Sequence, residues 1–189
     1  PEDLPLTLII EPRSEYTNDR SWCFWDSTDQ ADGTLISKSW STWEFSTNSC
    51  TRRHTSESGW KYHYISAIKF YNHVEKQISY NPKVTLLKNS CVTEVCPVED
   101  YIEIYLQEGK HHNDAKTEKI LTKQVVDTRF PQKSSASISI LKQVFFGFEV
   151  RTDKPHDFED VAMVMKDMRV DKQGFLFDYV LPISRHNLL

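Results

Sequence analysis

Short apolar runs separated by polar turn clusters occur along the whole chain and constrain its fold most strongly. The clearest run, residues 101–106, alternates in the period of a strand buried on one face. About ten such runs are joined by connections that often exceed hairpin length. Two antiparallel sheets that face each other bury such a pattern. The sequence therefore predicts an all-β fold: a jelly-roll or Greek-key β-sandwich of two antiparallel sheets, with long loops and at most short helices.

The predicted strands are residues 6–10, 22–25, 40–45, 84–87, 101–106, 120–126, 138–140, 144–150, 161–170 and 175–181. Polar composition predicts loops over residues 46–59 and 107–115. Residues 61–80 stay open between helix and strand, although apolar residues recur there at steps of three and four, which is a helical period.

Composition limits the function classes. The 189 residues suit one domain, or at most two small ones, and we treat residues 1–189 as a single domain. A net charge of −4 without a basic stripe argues against nucleic-acid binding. No apolar run approaches the roughly 20 residues that span a bilayer. The five glycines form no phosphate-binding loop, and we predict no cofactor.

The chain has four cysteines, at positions 23, 50, 91 and 96. Their number bears on whether the protein belongs to an oxidising or a reducing compartment. An even count in an all-β chain favours disulfides and an extracellular location. The spacing of Cys91 and Cys96 is closer to a short disulfide loop than to a zinc-binding pair. Four free thiols in a cytosolic protein are the alternative.

Several ordered segments resemble the ligand-binding domain of Eph receptor tyrosine kinases. The most specific is Val-Thr-Leu-Leu-Lys-Asn-Ser-Cys at residues 84–91, which is similar to the family's Phe-Thr-Leu-Arg-Asp-Cys strand. The others are residues 6–14 with Trp22, residues 40–45, Cys50 with Trp60, residues 101–108, residues 145–149 and residues 160–164. The family's usual partner for the first cysteine is replaced by an apolar residue near Ala162. The resemblance therefore implies the pairs Cys23–Cys50 and Cys91–Cys96.

This resemblance implies protein recognition without catalysis. The chain would be the ectodomain of a cell-surface receptor that binds a membrane-anchored ephrin in an apolar channel. Its parent would carry a membrane span and a kinase domain, and receptor clustering would start contact-dependent signalling. The chain itself would not be an enzyme and would meet the membrane only through the rest of that parent.

The resemblance places the ligand contacts in loops at residues 50–60, 91–96 and 151–160. The implied ligand-binding residues are Arg52, Arg53, His54, Lys88, Val92, Val95, His156 and Phe158. Each group has a structural alternative. The basic residues form a solvated patch, the valines pack on their own disulfide, or Phe158 belongs to a small cluster under its loop.

Two other interpretations of the sequence, a metal site and a sugar-binding surface, depend on different residues. The pair His111 and His112 with Asp114 has metal-ligating side chains, but adjacent histidines in a polar loop are usually solvated. Trp-rich β-sandwiches also bind sugars by stacking. A secreted carbohydrate-binding module is therefore the alternative function, with Trp40 or Trp43 as its platform.

Overall fold

The computed structural model describes residues 5–27, 33–109, 117–129, 143–172 and 174–189. The elements in these ranges are β1 (Thr7–Ile10), β2 (Ser21–Asp26), β3 (Lys38–Trp40), β4 (Thr42–Thr47), β5 (Thr51–Thr55), β6 (Lys61–Ser66), α1 (Ala67–Ser79), β7 (Val84–Leu87), β8 (Ser90–Val98), β9 (Tyr101–Glu108), β10 (Thr117–Thr122), β11 (Val150–Arg151), β12 (Val161–Asp171), β13 (Gly174–Val180) and β14 (Asn187–Leu188). The predicted all-β class is confirmed, with several antiparallel sheets and one helix in the described ranges.

The contacts group the chain into two compact units. The single domain over residues 1–189 stays a prediction. The first unit combines residues 1–17 with residues 71–143, and the second combines residues 18–70 with residues 144–189. Each unit is therefore described by itself.

The first unit contains two small sheets. Strands β1 and β7 pair in parallel, and β10, β9 and β8 form an antiparallel sheet in that order. Ile104 and Leu106 alternate along β9 and are buried, while Glu103 and Tyr105 lie on the opposite face. This is the period-two pattern that predicted the strand.

The second unit contains three sheets, with strand orders β2-β6-β3, β13-β12-β4-β5 and β11-β14. The pairing of β12 with β4 is parallel, and the other pairings in this unit are antiparallel. The core of buried side chains consists of Trp40, Tyr62, Tyr64, Ala162 and Leu181.

The segment left open between helix and strand contains both. Strand β6 lies between two other strands and buries four consecutive residues, so its sequence does not alternate between apolar and polar. Helix α1 follows directly, and its residues Ala67 and Tyr71 are buried on one face at the expected spacing of four. The three- and four-residue spacing of apolar residues therefore predicts the structure correctly only from residue 67 onward, where helix α1 begins.

Several predicted segments differ from the structure. Two differ in part, because β10 ends at Thr122 within the predicted strand 120–126 and the predicted strand 40–45 is divided between β3 and β4. Residues 46–59 were predicted as a loop but contain β5, an edge strand whose residues are all exposed and so carry no apolar pattern. Residues 91–96 were predicted as a loop but lie inside β8. Of the predicted strand 144–150, only Val150 is in a described strand. The predicted strand at 138–140 and the residues His111, His112 and Asp114 lie outside the described residues.

Among the residues that the structure describes, no helix has the length and apolar character needed to cross a membrane.

Candidate functional site

An aromatic row crosses one sheet of the second unit. Tyr62 on β6 lies opposite Trp25 on β2 and opposite Trp40 on β3, so the three rings share one face. The ring centroids of Trp25 and Tyr62 are 4.3 Å apart, and those of Trp40 and Tyr62 are 6.3 Å apart. Trp40 and Tyr62 are 1% and 5% exposed, whereas Trp25 is 42% exposed. The row therefore leads from the core to the surface.

A second sheet extends this row. Trp43 on β4 meets Trp25 edge to face at 6.0 Å between ring centroids. His54 lies opposite Trp43 on β5, with the two rings 4.8 Å apart. We call Trp25, Trp40, Trp43, His54 and Tyr62 the aromatic cluster. It offers a partly exposed apolar surface of ring faces and edges.

Three protic groups, one buried and two partly buried, lie at the inner end of the cluster. The hydroxyls of Tyr62 and Tyr179 hydrogen-bond to each other. Burial raises the pKa of Tyr62 to about 12 and also raises the pKa of Tyr179. Burial likewise raises the pKa of the Cys23 thiol, which hydrogen-bonds to both tyrosines. All three groups are therefore protonated at neutral pH, and Cys23 is a poor nucleophile there.

The carboxylates near the cluster are held by cations. Glu44, which is buried on β4, accepts hydrogen bonds from Nε and Nη2 of Arg53 at 3.1 and 2.8 Å. Glu159 accepts one from Nζ of Lys38 at 3.0 Å, and its backbone oxygen accepts one from Nε1 of Trp40 at 3.0 Å.

Five predicted ligand-binding residues lie in the second unit. Arg52, Arg53 and His54 follow one another along β5, where Arg53 binds Glu44 and His54 contacts Trp43. His156 and Phe158 stack on each other, with ring centroids 4.2 Å apart. Both side chains are only partly exposed, and no hydrogen bond is present at either ring nitrogen of His156 among the described residues.

The other three predicted ligand-binding residues lie in the first unit. Lys88 forms an ion pair with Glu75, and its Nζ lies 4.4 Å from the ring centroid of Tyr16. Val92 and Val95 lie on β8 opposite Leu106 and Ile104. Their role as walls of a ligand channel, like the roles of the other five residues, stays a prediction.

Neither predicted disulfide is present, because all four cysteines are free. Cys91 and Cys96 lie on the single strand β8, where an extended segment with four intervening residues separates their Cα atoms by roughly 16 Å. A disulfide requires Cα atoms within about 7 Å. Cys23 is half-buried on β2 beside the two tyrosines, and Cys50 is exposed at the turn between β4 and β5.

Sequence reasoning named Trp40 and Trp43 but missed Trp25, Tyr62 and Tyr179. The signal available was the aromatic content of three separate runs, 22–25, 40–45 and 60–64. Only strand pairing brings those runs together. The local sequence pattern does not predict that Tyr62 lies opposite residues of two strands at once.

A second missed group lies in the first unit around Arg13. Its guanidinium binds both carboxylate oxygens of Glu11 and donates a hydrogen bond to the Tyr71 hydroxyl at 3.0 Å. The guanidinium carbon also lies 4.8 Å and 4.9 Å from the ring centroids of Tyr16 and Tyr71. This group fixes the end of β1 to helix α1.

A protein-family model described as "Lycopene cyclase protein" matches residues 2–189. The chain belongs to the lycopene cyclase family. No curated protein matches it.

Membership of the lycopene cyclase family overturns the resemblance to Eph receptors. The predictions of an Eph ectodomain, an ephrin partner and contact-dependent signalling are wrong. The features shared with Eph receptors were short β-strand patterns with aromatic residues, which recur in many sheets. The more specific features, two disulfide-closed loops, are not present. The carbohydrate-binding alternative also has no support from the family match and is not retained.

Proposed function

We propose that the second unit of this chain binds lycopene along the aromatic cluster, and that the chain alone does not catalyse its cyclisation. The observation that carries the proposal is the exposed ring of Trp25, packed between Tyr62 and Trp43, in a chain of the lycopene cyclase family.

The surface chemistry suits an extended hydrocarbon. Lycopene is a conjugated polyene without polar groups, so its binding depends on apolar contact area rather than on hydrogen bonds. The indole rings of Trp25 and Trp43 offer large, rigid apolar faces at a small cost in conformational entropy. Trp60 is also exposed, and it directly precedes β6, which carries Tyr62.

The polar groups near the cluster are already engaged, which supports binding without chemistry. The carboxylates of Glu44 and Glu159 form ion pairs with Arg53 and Lys38. The raised pKa values of Tyr62 and Tyr179 make both hydroxyls weak proton donors. Within the described ranges, no group of His, Cys, Asp and Glu is placed to hold a metal ion.

A fluorescence titration tests the binding step. Lycopene in detergent micelles is added to the full chain, and quenching of tryptophan fluorescence gives the dissociation constant. We expect saturable quenching by lycopene. The Trp25→Ala variant should bind lycopene about tenfold more weakly, a loss of ~1.4 kcal/mol in binding free energy. Trp25→Phe keeps an aromatic face and retains most of the affinity.

Phe175→Ala is the matched control, because Phe175 is also a half-exposed aromatic residue in the second unit and has no ring contact with the cluster. Equal affinity of the unmodified protein, Trp25→Ala and Phe175→Ala would contradict the proposed site.

Chromatography of the carotenoids after prolonged incubation tests the second part of the proposal, that the chain alone does not cyclise lycopene. We expect only unreacted lycopene. A cyclic product formed by the chain alone would overturn this part of the proposal.

The extracellular location that the sequence predicted stays a prediction.

A further inference from the structure

The aromatic cluster is assembled from two different sheets of the second unit. Trp25 and Tyr62 belong to the sheet β2-β6-β3, whereas Trp43 lies on β4 in the sheet β13-β12-β4-β5. The surface proposed for lycopene therefore includes one indole ring from each sheet, with 6.0 Å between the ring centroids. A rigid polyene contacts both rings at once only if the two sheets keep a fixed position relative to each other.

A hydrogen bond between the sheets defines such a position more narrowly than apolar burial does. The hydrophobic effect is non-directional, so burial favours contact between two sheets without selecting one lateral alignment. A hydrogen bond has a narrow range of lengths and angles. A hydrogen bond between side chains of the two sheets therefore restricts how far one sheet can slide against the other.

Tyr62 and Tyr179 form a bond of this kind. Tyr179 lies on β13, in the same sheet as Trp43, and its hydroxyl hydrogen-bonds to that of Tyr62 in the other sheet. Cys23 shares a face of β2 with Trp25, and its thiol hydrogen-bonds to both hydroxyls. Cys23 and Tyr179 pack against the buried core that contains Tyr62. Electrostatic attraction is stronger there than in water, which strengthens these bonds.

The position of Trp25 depends on Tyr62. The two residues lie opposite each other on β2 and β6, and their ring centroids are 4.3 Å apart. A displacement of the Tyr62 ring therefore displaces the ring of Trp25 relative to that of Trp43. Tyr179 can thus act on the surface at Trp25 through Tyr62.

We propose that Tyr179 is a positioning residue for lycopene binding, because its hydrogen bond to Tyr62 holds the ring of Trp25 at a fixed position against the ring of Trp43. This role rests on the proposed function. The hydroxyl of Tyr179 is the part required, since a phenylalanine at the same position fills the same apolar space but forms no bond between the sheets. A surface that is held in place before lycopene arrives loses less conformational entropy on binding.

Lycopene titrations of tyrosine variants test this role. Tyr179→Phe should bind lycopene about fivefold more weakly than the unmodified protein. Tyr62→Phe should show a similar loss, and the double variant should lose less than the product of the two single losses, because both substitutions remove the same hydrogen bond. Tyr64→Phe is the matched control, because Tyr64 lies on β6 in the same core but its hydroxyl bonds to Asn18. It should lose stability and keep its affinity for lycopene.

Circular dichroism of the protein without lycopene gives an independent measurement. The indole rings of Trp25 and Trp43 are close enough to couple electronically, and the resulting far-ultraviolet couplet depends on the distance and angle between them. Trp25→Phe identifies the part of the spectrum that comes from this pair. We expect Tyr179→Phe to reduce the couplet and Tyr64→Phe to keep it. A residue that only stabilises the fold would leave the couplet of the folded protein unchanged.

The outcomes separate the role of Tyr179 from the proposed function. Failure of the unmodified protein to bind lycopene would overturn the lycopene site and, with it, the role of Tyr179 in binding. Weaker binding by Trp25→Ala, together with an unchanged affinity or an unchanged couplet in Tyr179→Phe, would overturn the positioning role alone. Equal losses of affinity in Tyr179→Phe and Tyr64→Phe would also overturn it, because Tyr179 would then act only on stability.

Discussion

Neighbouring arginines on β5 have different surroundings, although the sequence presents them as a pair. Arg53 binds the buried carboxylate of Glu44, whereas Arg52 makes no ion pair within the part of the chain that the structure describes. The resemblance to Eph receptors implied that both contact a ligand. The register of β4 against β5, which sets Arg53 opposite Glu44, determines the difference.

We expect Arg53→Met to lower the free energy of unfolding by about 2 kcal/mol, because the buried Glu44 carboxylate loses its charged partner. Urea denaturation measures this. Arg52→Met is the control and should change stability by no more than about 0.5 kcal/mol. Equal losses in the two variants would contradict the structural role of the ion pair.

The two hydrogen-bonded tyrosines give a pH dependence. The pKa of Tyr62 is raised from 10.0 to about 12, and that of Tyr179 is raised as well. The unfolded chain therefore loses its tyrosine protons at lower pH than the folded chain. This contribution to stability is fully present below pH 10 and is lost as the pH rises toward 12, by about 2 kcal/mol for Tyr62.

Urea midpoints measured across this pH range test the expectation. Tyr62→Phe should lose about 1 kcal/mol at neutral pH, because its hydrogen bond to Tyr179 is gone. It should also decline less steeply at high pH. Tyr80→Phe removes an exposed hydroxyl and should decline like the unmodified protein. A Tyr62→Phe profile parallel to the unmodified one would refute the assignment.

At the scale of elements, the sequence predicted the strands that have one buried face, and it did not predict those without apolar-polar alternation. Strand β9 was predicted because Ile104 and Leu106 alternate with polar residues. Strand β5 is an exposed edge, and β6 is buried on both sides, so neither shows alternation. Strand β8 was hidden by its two cysteines and by Pro97, which is accommodated on this edge strand of its sheet.

Oxidation of the thiols tests the continuity of β8. We expect mild oxidation of the folded chain to give no Cys91–Cys96 disulfide, because the extended strand holds their Cα atoms too far apart. Peptide mapping without reduction is the measurement. The same treatment in denaturant is the control, where the flexible chain should allow the bond. A Cys91–Cys96 peptide from the folded protein would mean that β8 is interrupted.

At the scale of the whole molecule, the chain forms two compact units and leaves one apolar segment outside any described strand. Residues 144–148 were predicted as a strand because they are densely apolar, yet Phe145 and Phe146 are 70% and 85% exposed. Apolar composition alone does not provide the neighbouring strand whose backbone groups would complete a ladder.

We expect chymotrypsin to cleave the native chain first after Phe145 or Phe146, because exposed chain without ladder hydrogen bonds fits a protease. Mass spectrometry of early fragments identifies the site. Phe175 is 56% exposed but lies in β13, paired with β12, and provides the internal comparison. Earlier cleavage after Phe175 would contradict the expectation.

The sequence by itself determined the all-β class and the strands with one solvent-exposed face, because burial of a single face imposes a local alternation on such a strand. It also determined family membership, through a pattern that extends over nearly the whole chain. Only the tertiary structure decided that Trp25 and Trp40 flank Tyr62, that Glu44 is neutralised by Arg53, and that the four cysteines are free. Those features depend on strand register and pairing between distant segments, which no local pattern encodes.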